Sequence, residues 1–138
     1  MDAGLRNMKL RIYRNSMRFR LSPSDVAALR RTASLVETTQ FGPDIEYSYG
    51  LYLRSGIAAM RATLESNRIR IEIPALMAEK WSESDTVGLR HAQDIGNGQT
   101  LEILVEKDFE CLEAQINEAG ETFYPNPNKA CPANAQIL

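Results

Sequence analysis

Six arginines carry most of the chemical potential of this sequence. Arg11, Arg18 and Arg20 lie in one segment, Arg61, Arg68 and Arg70 in a second, and all alternate with apolar residues. Alternation sends successive side chains to opposite sides of a strand. Met17, Phe19 and Leu21, and later Ile69, Ile71 and Ile73, therefore share one sheet face, and the arginines take the other. A guanidinium is always charged and grips phosphate or carboxylate with a planar fork of donors. If the sheet closes with its helices outside, the arginines line a tunnel and make a polyanion site. If it stays open, they meet water, with Glu46, Glu65, Glu72, Glu102 and Glu106 interspersed, as one face of an antiparallel sheet commonly does.

Other reactive side chains are fewer. His91 is the single histidine, a candidate base or ligand, although a structural role needs fewer assumptions. Cys111 and Cys131 with His91 and Asp108 match no metal-ligand spacing, and a nucleophilic Cys111 needs a base beside it. Glu102 and Glu106, four residues apart on a strand, stand about 13 Å apart by the strand rise, too far to share a metal. Tyr47, Tyr49 and Tyr52 form an aromatic group suited to packing between strands more than to stacking on a base. The sequence thus nominates no catalytic residue, no metal and no cofactor.

The elements that must position the arginines come twice. Residues 10–53 overlay 62–105 at an offset of 52, with Pro23 and Pro74 one residue out of register. Each copy reads as ββαββ. Lys9 to Tyr13 and Met17 to Leu21 make a hairpin about Arg14-Asn15-Ser16. Ser22 caps a helix, Pro23 suits its first position, and Asp25 favours its positive end. That helix runs to about Ala33. Leu35 to Phe41 and Ile45 to Leu53 are strands about Gly42-Pro43-Asp44. In the second copy, Met60 to Glu65 and Arg68 to Ile73 flank Ser66-Asn67. A helix opened by Pro74 runs past Trp81 to about residues 82–85. Val87 to His91 and Leu101 to Val105 close the copy across a loop containing Gly96-Asn97-Gly98. The expected fold is α+β: a curved antiparallel sheet or barrel, pseudo-two-fold, with two short helices.

The 138 residues suit one domain. Residues 1–8 read as a leader, 9–53 as repeat one, 54–61 as a connection and strand start, 62–106 as repeat two and 107–138 as an irregular tail with Tyr124-Pro125-Asn126-Pro127-Asn128. A net charge of −2 gives no global case for nucleic acid or an anionic membrane. The N-terminus has no secretory pattern and no stretch spans a bilayer, so two thiols without CxxC spacing fit a reducing cytoplasm.

Several segments together resemble a family of small bacterial proteins defined only as a domain of unknown function. These are Met8-Lys9-Leu10-Arg11-Ile12, Asn15 to Leu21 (NSMRFRL), Glu37 to Gly42 (ETTQFG), Ile103 to Leu112 (ILVEKDFECL), and the Asn126-Pro127 element. That resemblance implies no activity. In plan, Met17 to Phe41 is similar to the opening of the triphosphate-tunnel fold of class IV adenylate cyclases and thiamine triphosphatases. Their first strand carries Glu-x-Glu-x-Lys, which holds divalent metal. Here Arg18-Phe19-Arg20 stands in its place, and Arg68 to Ile73 does not supply it. The expectation is a non-enzymatic module for a phosphorylated or other anionic ligand or an acidic partner. A divergent metal-dependent phosphohydrolase of the tunnel type, its metal carried by Glu102, Glu106 or other carboxylates, and a structural protein or oligomer formed through strand edges, are the alternatives.

Overall fold

The computed structural model describes residues 8–109 and Tyr124. Ten elements follow in chain order: β1 (Lys9–Tyr13), β2 (Ser16–Leu21), α1 (Pro23–Thr32), β3 (Ser34–Gly42), β4 (Ile45–Arg54), β5 (Arg61–Glu65), β6 (Arg68–Pro74), α2 (Ala75–Ser82), β7 (Gly88–Gly96) and β8 (Gln99–Lys107). All ten lie in the first of two compact units, Met1–Asp108 and Phe109–Leu138. Cys111, Cys131 and the Asn-Pro tail fall outside the described residues.

The ββαββ plan is present twice, and the chain is α+β. Its sheets assemble by exchange. The hairpin β1–β2 joins the hairpin β7–β8 in the order β1-β2-β8-β7, and β3–β4 joins β5–β6 in the order β3-β4-β6-β5. Each sheet is mixed, because β2 runs parallel to β8 and β4 parallel to β6. The expected single curved antiparallel sheet or closed barrel is therefore two four-stranded sheets. The reason lies in the helices: α1 carries the chain from the first sheet to the second and α2 carries it back, so the strands divide between two sheets, while the parallel neighbours β4 and β6 are joined through β5.

The offset between the copies also changes. β5 and β6 begin 52 residues after β1 and β2 (Lys9 to Arg61, Ser16 to Arg68), whereas β7 and β8 begin 54 after β3 and β4 (Ser34 to Gly88, Ile45 to Gln99). Only Ala33 separates α1 from β3, while residues 83–87 separate α2 from β7. The shift is even, so inward and outward faces survive it.

Local chemistry explains both helices. Ser22 and Asp25 form a reciprocal capping box: the Ser22 N–H donates to Asp25 Oδ2 (2.8 Å), and the Asp25 N–H donates to Ser22 Oγ (3.2 Å). This satisfies two donors that a helix start otherwise leaves open, and Asp25 is fully buried. Ala33 ends α1 in the left-handed region (φ 64°), with its N–H on the Leu29 carbonyl. α2 starts after Pro74 with no side-chain cap. Its anchor is Trp81, 1% exposed, whose Nε1–H donates to the Val87 carbonyl at 3.0 Å.

One core joins the two sheets. Met17, Phe19, Leu21, Ile103 and Val105 come from the first; Leu35, Leu51, Ile69, Ile71 and Ile73 from the second; Leu29 and Trp81 from the helices. Phe19 and Tyr49 meet across the gap with ring centroids 6.1 Å apart. Met8, grouped above with the leader, is buried in this core. Two seams run between the sheets. At one, the Gln93 side chain on β7 accepts from the Ala62 N–H of β5 (2.7 Å) and donates to its carbonyl (3.0 Å). At the other, the Tyr49 hydroxyl donates to the Met8 carbonyl (3.0 Å).

Candidate anion-binding face

Because apolar side chains fill the space between the sheets, the arginines point outward and separate into two trios. Arg11, Arg18 and Arg20 lie on the outer face of the first sheet, Arg61, Arg68 and Arg70 on that of the second. No tunnel gathers all six.

On the first sheet, strand register sets the cations in two adjoining rows. Arg11 stands directly opposite Arg18, and the row continues through Leu104 to Arg90. Lys9 stands directly opposite Arg20, and that row continues to Glu106 and Gly88. Neighbouring strands lie about 4.8 Å apart, so the Arg11, Arg18, Lys9 and Arg20 head groups occupy one small field. Glu106 enters it from β8. Its Oε2 accepts from Arg20 Nε at 2.8 Å and lies 3.6 Å from Arg18 Nε. The Glu106 side chain is 14% exposed, against 31% for Arg18 and 26% for Arg20. One carboxylate is thus shared by two guanidiniums that still reach solvent.

The second sheet supplies an internal comparison. At the positions matching Lys9/Arg20 stand Arg61 and Glu72, and at those matching Tyr13/Ser16 stand Glu65 and Arg68. Both are opposite-charge pairs. Thr63 faces Arg70, where Arg11 faces Arg18 in the first sheet. Arg70 stacks on the Tyr52 ring, its guanidinium carbon 4.1 Å from the centroid. The Glu72 carboxylate accepts from Arg54 Nε at 3.1 Å. Two copies of the same pattern therefore differ in register: opposite charges face each other on β5–β6, like charges on β1–β2.

Lys9 and Arg90 are additions to the sequence candidates, and Glu106, expected there as a solvated carboxylate or a phosphohydrolase ligand, is instead the counter-ion of Arg18 and Arg20. Lys9 alternates in step with Arg11 and is findable from parity. The placing of Arg90 and Glu106 beside the arginines is not, because nothing in the local pattern shows that β8 lies parallel beside β2.

The remaining candidates disperse. His91 sits on β7 opposite Ile103, half-buried on the core-facing side. Glu102 faces Ser16 and Ala92 on the outer surface, and the Asp108 N–H closes the end of β8 on the Leu21 carbonyl. Among the described residues no three His, Cys, Asp or Glu side chains gather as a metal-ion set. Tyr47 and Tyr49 pack against the core and Tyr52 supports Arg70. Burial first, then the negative charges of Glu37 and Asp25, push the Tyr49 phenol above its ordinary pKa. Among the described residues no helix is long and apolar enough to cross a membrane.

No curated protein and no solved structure matches the chain. A family model does, over residues 8–128, which takes in both strand–helix repeats and the basic face just described. The chain belongs to the family of unknown function DUF7009.

Proposed function

We propose that this protein is a non-enzymatic cytoplasmic binding module whose site is the outer face of the first sheet. Its ligand carries phosphate or carboxylate groups, held by Arg11, Arg18 and Arg20 with Lys9 at their side. The observation that carries this is the opposition of like charges, Arg11 to Arg18 and Lys9 to Arg20, where the matching positions of the second sheet avoid it. Like charges directly opposite on a sheet are destabilising, on the scale of a few tenths of a kcal/mol to about 1 kcal/mol per pair. A bound anion converts that repulsion into attraction, and Glu106 holds the position until the anion arrives. The planar forks suit oxyanions, and the spread over two rows suits a ligand with more than one charged group.

The test is thermal unfolding of the intact chain against pyrophosphate and tripolyphosphate at constant ionic strength. A ligand at about a hundred times its dissociation constant stabilises the native state by about 2.7 kcal/mol. The expected result is a rise in Tm that vanishes in an Arg11→Ala, Arg18→Ala variant and persists in Arg61→Ala, Arg68→Ala. A rise that survives loss of the first pair, or no rise with any anion, contradicts the proposal.

A further inference from the structure

The same basic face borders a strand edge that is open among the described residues, and the two together select one kind of ligand. β1 is the outermost strand of the first sheet, as β5 is of the second. In the β1–β2 hairpin, Tyr13 and Ser16 flank a two-residue turn. A hairpin of that length closes on a hydrogen-bonded pair, so Tyr13, Arg11 and Lys9 turn their backbone groups toward β2. Leu10 and Ile12 turn theirs away. The same count applies to β5, where Ala62 turns outward. There the Gln93 amide binds both the Ala62 N–H and its carbonyl and stands in for a neighbouring strand.

The matching seam beside β1 has no such lock. Leu10 corresponds to Ala62 through the offset of 52, and Thr39 to Gln93 through the offset of 54. A threonine hydroxyl is too short to imitate the two-point amide contact. The Tyr49 hydroxyl takes the Met8 carbonyl at the start of this seam. Beyond it, among the described residues, no hydrogen bond crosses to the Leu10 N–H or carbonyl. Ile12, on the core-facing side of β1, is 55% exposed.

Resting on the anionic-ligand reading above, we infer that the ligand is an extended acidic peptide segment that adds to β1 as a fifth strand. Its backbone pairs with the outward groups of Leu10 and Ile12. Residues of one parity then lie over Lys9 and Arg11, within reach of Arg18 and Arg20, and want to be acidic. Those of the other parity lie beside Leu10 and Ile12 and want to be apolar. The period of two along a strand makes an alternating acidic–apolar sequence the complement of this edge.

The probe is a peptide of about eight residues alternating Glu with Val, a length that spans the 5 residues of β1 with a residue or two to spare at each end. Its control has the same sequence with the amides on one edge N-methylated, so charge is kept and strand pairing is not. Affinity is read by titration, and the edge itself by amide hydrogen exchange of the intact protein. The expected results are binding by the plain peptide, at least tenfold weaker binding by the methylated one, and slowed exchange at Leu10 and Ile12. Thr39→Gln, an exposed position, copies the Gln93 lock and weakens the peptide while leaving stabilisation by tripolyphosphate unchanged. Equal affinity for plain and methylated peptides, or no peptide binding where tripolyphosphate still stabilises, overturns the strand inference and leaves the anion face standing. Failure of both probes overturns both.

Discussion

Glu106 is the residue on which the basic face turns. Its carboxylate lies between two guanidiniums that would otherwise repel, 2.8 Å from Arg20 Nε and 3.6 Å from Arg18 Nε. An incoming anion must displace it. Glu106→Gln therefore tightens anion binding, by roughly 1.4- to fivefold if the lost pair is worth the ~0.2–1 kcal/mol of a partly exposed ion pair, and lowers Tm of the free protein at low salt. Titration of tripolyphosphate into both proteins checks this. Tyr49 gives a pH signature at the same scale. Its phenol is held above the ordinary value near 10, so the unfolded chain releases this proton before the folded one does. Its contribution to stability is complete below pH ~10 and is lost as pH rises through the folded value. Tyr49→Phe flattens that alkaline decline, and costs about 1 kcal/mol at neutral pH through the missing bond to the Met8 carbonyl. Denaturant unfolding of both proteins at pH 7 and pH 11 reads the two effects. Ala33 offers the opposite sign. It holds φ 64° at the end of α1, a conformation costing a residue with a Cβ about 1 kcal/mol or more, so Ala33→Gly raises stability by about that amount.

The elements themselves were largely legible. The hairpin at Arg14-Asn15, the Ser22-Pro23-Asp25 helix start and the end of α1 at Ala33 all rest on contacts within a few residues, and such contacts leave local signatures. The sequence pattern ends β7 at His91, because Gly96-Asn97-Gly98 suggests a long loop, whereas the strand continues to Gly96. Asn97 and Gly98 are instead the two residues of a tight turn, both at positive φ, the arrangement that lets two strands continue to the turn itself. What no local pattern carried is which hairpin pairs with which. Phe19 and Ile71 point inward whether their strands sit in one sheet or two, so the alternation fixes the face of Arg18 and leaves its neighbours open. Element packing is also where Gly50 is tested. A Cβ there meets Val36 Cγ2 at 2.9 Å and the Leu35 carbonyl oxygen at 3.2 Å. Gly50→Ala therefore strains the β3–β4 pairing and lowers stability by about 1–3 kcal/mol, seen as a lower denaturation midpoint with the anion response retained.

At the scale of the whole molecule, the two copies share one core and differ on their outer faces. Both copies deliver hairpins with an apolar inner face, and the exchange of those hairpins gives the two sheets a common core. The outer faces are not bound by that requirement and have diverged: paired charges on one, gathered cations and an unlocked edge on the other. A net charge of −2 conceals the difference, since it sums over the chain without regard to which charges register sets face to face. Attraction of an anion to arginines that reach solvent falls with ionic strength. The most direct test of the basic face is a two-dimensional nuclear magnetic resonance map of the arginine Nε–H groups during titration with tripolyphosphate. The account predicts saturable shifts at Arg11, Arg18 and Arg20, with Arg61, Arg68 and Arg70 unmoved. Shifts centred on the second trio, or spread evenly over all six, would contradict it.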